Sequence, residues 1–195
     1  MTKEKQEPLV MLDDKEMKVS DVTTFTYVGE VVKHPNPEVK AALKMVWDKS
    51  LDRKFLSNPA GRVYIIAVDD VIYKIGGSES GDGIRGTWGS YCGGNTGRPS
   101  DRTYGINVLI QEQIALGKKV KVYAILSECV EAKVSGLTKK TEKTEMINLS
   151  YKRTERNCLN DYIAVEKEYP EWNFKEANKA WPQYIQEGAA KLRNS

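Results

Sequence analysis

The chain has one histidine, His34, and three widely spaced cysteines, Cys92, Cys129 and Cys158. Ser-His-Asp and Cys-His catalysis, and histidine-rich metal sites, would all have to draw on that single imidazole. No Cys-x-x-Cys occurs, and the thiols lie about 30 or more residues apart, so a structural zinc site is not expected. Unless His34 folds into the site, a proton acceptor must come from another residue type. Tyr64 and Lys74 stand in two neighbouring strand-like runs. A tyrosine titrates near 10, about three units too high for work at pH 7, equal to roughly 4 kcal/mol. A protonated lysine beside it favours tyrosinate and lowers that value. A neutral lysine drawing the proton from the tyrosine is the alternative. A lysine inside an otherwise apolar strand needs a partner or an exit.

Singly, each chemical residue also has a plain structural role. Tyr64 and Tyr73 suit strand interiors. Arg85 alone is a surface arginine, and Glu155 is one helical glutamate among several, with Glu166 and Glu168 for comparison. Gly81-Asp82-Gly83-Ile84-Arg85-Gly86 matches G-x-G-x-x-G, but Gly89, Gly93, Gly94, Gly97 and Pro99 break the long helix a dinucleotide site needs. A Gly-Lys-Ser/Thr phosphate loop is absent.

The 195 residues suit one domain with extensions. Hydrophobic residues at 40% allow a core, and no run approaches the roughly 18 apolar residues of a membrane helix. The start, MTKEKQEPLV, has no apolar leader region, so reduced thiols and a cytoplasmic location are expected. Net charge is only +3. Between Gly117 and Arg156, however, ten bases face five acids, a local balance that suits a polyanion.

The elements that must position these residues follow from pattern. Asn36-Pro37-Glu38 reads as a helix start, with Val39, Leu43, Val46 and Trp47 at helical spacing. Residues 1–60 are thus expected to form a helical N-terminal extension, ended at Asn58–Gly61. Arg62–Val68 and Val71–Ser78 read as strands joined at Asp69-Asp70. A short helix is expected around Ile84–Tyr91, and a longer one capped by Ser100 or Asp101 and closed at Gly117. Lys119–Leu126 reads as a third strand, and residues 127–149 as a loop or hairpin. A helix carrying Leu159, Tyr162, Ile163 and Glu166 on one face should end near Pro170. Residues 173–194 read as one or two short helices broken at Trp181-Pro182.

Val63-Tyr64-Ile65, Lys74-Ile75-Gly76 and Gly83-Ile84-Arg85, in that order, resemble the GIY-YIG endonuclease superfamily. The likeness is to its small Type II restriction-enzyme branch, in which lysine replaces the second motif tyrosine. It extends through Ser90-Tyr91-Cys92-Gly93, Lys121–Ala124 and Lys152-Arg153-Thr154-Glu155, and covers about residues 61–165. The resemblance implies an α+β fold: a small three-stranded antiparallel sheet flanked by helices, with a nuclease core over 61–169 and a C-terminal helical extension over 170–195. It implies a Mg²⁺-dependent DNA endonuclease acting as a homodimer on double-stranded DNA. Tyr64 would be the general base, Lys74 its assistant, Arg85 the phosphate clamp and Glu155 the metal ligand. Arg98, Arg102, Lys152 and Arg153 are candidate DNA contacts. Gly77 stands where relatives often carry a histidine.

Strand parity gives a structural test of this assignment. Regular pairing around a two-residue Asp69-Asp70 turn would put Tyr64 and Lys74 on opposite faces. An odd loop or a bulge is required to bring them together. Other readings of the same sequence are a phage or mobile-element nicking nuclease, an inactive DNA-binding module on this fold, and a small-molecule enzyme using the glycine-rich loop.

Overall fold

The computed structural model describes residues 17–135 and 143–194. Five strands form one antiparallel sheet in the order β2-β1-β5-β3-β4. They are β1 (Thr26–Lys33), β2 (Leu43–Trp47), β3 (Arg62–Val68), β4 (Val71–Ser78) and β5 (Val120–Leu126). The helices are α1 (Arg53–Ser57), α2 (Gly83–Cys92), α3 (Asp101–Ala115), α4 (Tyr151–Glu166) and α5 (Gln183–Asn194). A separate hairpin pairs β6 (Cys129–Val134) with β7 (Lys143–Asn148).

The sheet is covered on both sides. Tyr64, Ile66 and Val68 pack into a core with Ile84 and Trp88 of α2, Ile106 and Ile110 of α3, Trp172, and Ile185 of α5. Val63, Ile65 and Ala67 point the other way, toward Leu159 and Tyr162 of α4 and the N-terminal Val19. All seven positions of β3 are buried, so its sequence shows a continuous apolar run rather than alternation. The central strands and α2, α3 and α4 form where the sequence places them. Ser100 caps α3 by accepting from the Thr103 amide at 3.2 Å.

The sheet has five strands rather than three, and the expected N-terminal helix is replaced by sheet. Leu43, Val46 and Trp47 satisfy a helical spacing, but Leu43 and Met45 also satisfy a strand period. Pairing decides between them: Val31 faces Met45 and Lys33 faces Leu43 across the β1–β2 ladder. Val39 and Val46, expected on a packed helix face, are 42% and 48% exposed. Among the described N-terminal residues the one α-helix is short α1, capped by Asp52. The polar stretch after β5 is the hairpin option, and residues 136–142, with Lys139, Lys140 and Glu142 of the basic window, lie outside the described residues. Helix α4 stops at Glu166 through a left-handed Lys167 (φ 64°), three residues before Pro170.

Candidate active site

The turn between β3 and β4 has two residues, Asp69 and Asp70, at φ 47° and 71°. Both lie in the left-handed region that a tight type I′ hairpin demands, and aspartate tolerates it. Val68 pairs with Val71 and Ala67 with Ile72. The register then shifts, so that Ile66 pairs with Lys74 and Tyr64 with Gly76. Tyr73 is the extra residue of this bulge. The bulge restores the parity that the two-residue turn would have spoiled. Tyr64 and Lys74 therefore face the same side, offset by one diagonal step rather than directly opposed.

Tyr64 is 2% exposed and Lys74 3%. The Tyr64 ring lies over Gly76: a Cβ there would come within 2.6 Å of the phenol oxygen. The ring packs edge-on against Trp88 and Tyr91 of α2, with centroids 6.1 and 5.9 Å away. Its hydroxyl hydrogen-bonds the Tyr91 hydroxyl at 2.5 Å. The Lys74 ammonium donates to the Trp172 carbonyl at 3.4 Å.

The acid–base character of this cluster is dominated by burial. Burial holds the Tyr64 hydroxyl well above 10, Tyr91 adds to the effect, and Arg102 opposes it. The Tyr91 hydroxyl is raised as well, again mainly by burial and again opposed by Arg102. Lys74 goes down to about 8 because burial disfavours its charge, with Glu176 and then Glu155 pulling upward. The expected lowering of the tyrosine by a charged lysine is thus not the resting state. Desolvation of the phenolate outweighs nearby positive charge.

Glu155 lies on α4, across the sheet from Tyr64. It reaches the same region because β4 is an edge strand with no side chains at Gly76 and Gly77. A Cβ on Gly77 would stand 2.7 Å from the Glu155 carboxylate, and the Gly77 backbone hydrogen-bonds that carboxylate. Burial and Glu176 raise the Glu155 carboxyl, while Lys74 and Arg102 lower it. The glycine pair thus opens the sheet edge to the acid.

A cleft of about 420 Å³ lies at this edge, lined by Gly77, Arg102, Tyr151, Lys152, Glu155, Arg156, Lys175 and Glu176 among others. Arg102 comes from the first turn of α3 and Lys152 from the first turn of α4. Positive helix ends and four bases therefore surround two carboxylates, a setting that attracts an anion. A larger hollow of about 740 Å³, lined by His34, Tyr104 and Glu112, shares no residue with this cleft. His34 is a loop residue whose Nδ1 hydrogen-bonds the Asn36 backbone.

Of the expected residues, Tyr64 and Lys74 share one face of the sheet, and Glu155 approaches the same edge strand at Gly77 from the other face. Arg85 is exposed on the first turn of α2, and the cation acting on both tyrosines is Arg102, which acts on Glu155 together with Lys74. Arg98, Lys152 and Arg153 are exposed. Sequence reasoning missed Glu176 and Asn173. Neither belongs to a strand or helix with a readable period, so no pattern signalled them. Tyr91 was legible, lying in the matched Ser90–Gly93 block.

The fit of a divalent metal rests on donor chemistry. Among the described residues no group of three or more His, Cys, Asp or Glu side chains converges. Glu155 in a cleft beside a second carboxylate fits Mg²⁺, which takes few protein ligands and keeps water and substrate oxygens.

No family model matches the sequence, and no curated protein matches it. Similar solved structures include two that this chain covers almost end to end. One is the restriction endonuclease HPY188I in complex with product DNA, at 24% identity over 85% of this chain and 96% of that one, with a TM-score of 0.48. The other is a point mutant of bacteriophage T4 EndoII, at 19% identity over 80% of this chain and 98% of that one, with a TM-score of 0.49.

Proposed function

We propose that this protein is a divalent-metal-dependent DNA endonuclease of GIY-YIG type that hydrolyses phosphodiester bonds. One observation carries the reading: the hydrogen-bonded Tyr64–Tyr91 pair packs on Gly76, next to Gly77, which lines the basic cleft with Glu155 and Arg102. Hydrolysis needs a base for water, a held phosphate and a stabilised leaving oxygen. Tyr64 takes the proton from water while its own proton passes toward Lys74. Burial brings the neutral amine of Lys74 within reach, by lowering it to about 8. Arg102 and Arg85 hold the phosphate, each with a planar and permanently charged fork. Glu155 holds the metal, which supplies Lewis-acid neutralisation of phosphate charge when bound. Lys152, Arg153 and Arg98 contact the flanking backbone.

The restriction version pairs two copies about a two-fold axis, because one such site cuts one strand. A second reading, a DNA-binding module without catalysis, is favoured by the near-complete burial of Tyr64 and by Gly77 in place of a histidine. The test is plasmid cleavage with Mg²⁺ by wild type, Tyr64→Phe and Glu155→Ala. Discrete fragments from wild type alone are the expected result. A smear keeps the nuclease and removes site specificity. Tight DNA binding with no cutting refutes the enzyme and leaves the binding module.

A further inference from the structure

An edge strand presents unpaired backbone groups, and β4 is the edge beside the cleft. Here the loop between α4 and α5 closes it. The Trp172 amide donates to the Tyr73 carbonyl at 2.8 Å, which pins the bulge. The Asn173 side chain then acts in place of a sixth strand. Its Oδ1 accepts from the Ile75 amide at 3.0 Å, and its Nδ2 donates to the Ile75 carbonyl at 2.7 Å. The Trp172 carbonyl accepts from Lys74 Nζ. Tyr73, Lys74 and Ile75 are thus held by two consecutive loop residues, both fully buried or nearly so.

Asn173 Nδ2 has a second acceptor, Glu176 Oε2, at 3.2 Å. A carboxylate only accepts, so it allows one orientation of the amide. A flipped amide would set oxygen against the Glu176 carboxylate and NH₂ against the Ile75 amide. The same Glu176 lines the cleft beside Glu155 and Arg102. It is half-buried and is the second carboxylate of that cleft.

We propose that Glu176 is a positioning residue of the catalytic centre: its charged carboxylate locks the Asn173 clamp on β4 and holds Lys74 and Arg102 in place for the reaction. This rests on the nuclease reading of the same cleft. Lys74 is faced by Glu176 from the loop, Arg102 from α3 and Glu155 from α4, and Glu176 is the strongest of these on its amine. Glu176 also acts on Arg102 and on Tyr91. Its effect therefore reaches Lys74, Arg102 and Tyr91 from a loop that clamps the edge strand.

The experiment compares Glu176→Gln, which keeps an acceptor for Asn173 but no charge, with Glu176→Asp, which keeps the charge on a shorter arm. Single-turnover plasmid cleavage in Mg²⁺, DNA affinity by gel shift, melting temperature and the NMR titration of the Lys74 side chain are all measured. Glu176→Gln is expected to cut about 10-fold or more slowly, with DNA affinity within about twofold and an unchanged melting temperature. Its Lys74 midpoint falls by about half a unit or more. Glu176→Asp recovers part of both. Wild-type cleavage by Glu176→Gln overturns the proposal and leaves Glu176 as a loop acceptor. An unmoved Lys74 midpoint also overturns it, whether or not the wild type cuts. A wild type that never cuts DNA, with the midpoint still shifted in Glu176→Gln, refutes the nuclease reading but keeps the electrostatic hold on Lys74.

Discussion

Gly76→Ala tests the geometry of the site without removing any chemical group. The added Cβ would stand 2.6 Å from Tyr64 Oη, 2.7 Å from Cζ and 3.0 Å from Cε2. Ordinary contact begins near 3.4 Å, so the shortfall at the oxygen is about 0.8 Å. The ring has little room to yield, being 2% exposed and wedged against Trp88 and Tyr91. Either the phenol or β4 must move by close to 1 Å, and the Tyr64–Tyr91 hydrogen bond is strained or broken. Overpacking of this kind costs about 1–3 kcal/mol. A misplacement of about 1 Å at a reacting group costs on the order of 10²-fold in rate. The assay is the initial rate of supercoiled plasmid conversion in Mg²⁺, well below the melting temperature, beside urea denaturation. The double variant Gly76→Ala/Tyr64→Phe closes a cycle: removing Oη relieves the closest contact, so its stability loss is expected to be smaller than the sum of the two single losses. Full activity of Gly76→Ala, or strict additivity in the cycle, would refute the placement of Tyr64 over Gly76.

Lys74→Met is expected to abolish cleavage while stabilising the fold at pH 7. The amine falls from 10.5 unfolded to about 8 folded, so folding costs roughly 3 kcal/mol while both states are charged. That cost is complete below pH 8 and is relieved between 8 and 10.5, because there the unfolded chain binds the extra proton. The stability gap between variant and wild type should therefore shrink on raising the pH through that window. A gap that stays constant or widens in urea titrations would contradict the buried amine. Arg102→Ala and Arg85→Ala are each expected to slow cleavage about 10-fold or more, since each removes a charge at the phosphate. Lys152→Ala instead weakens binding and lowers the salt slope of log K by about 0.9. Arg102→Ala cutting at the wild-type rate would leave the phosphate to Arg85 alone.

What the sequence itself determined is the local part of this protein. Apolar runs on either side of Asp69-Asp70 specify β3 and β4, and the Ser100 cap and Gly117 bound α3. Tyr64, Lys74 and Glu155 stand out only as an ordered set that resembles a known motif series, since each taken singly suits a plain structural role. The tertiary structure decided what depends on partners distant in sequence. Leu43–Trp47 satisfies two periods, and only the β1 ladder makes it a strand. Asp69 and Asp70 imply a two-residue turn, but the bulge at Tyr73 that sets Tyr64 and Lys74 on one face is pinned by Trp172, about a hundred residues on. Asn173 and Glu176 carry no periodic signal, since an irregular loop is defined by what it packs on. The direction of the tyrosine and lysine shifts was likewise beyond sequence. Composition says which groups can exchange protons, whereas burial, set by the whole fold, says which form each prefers.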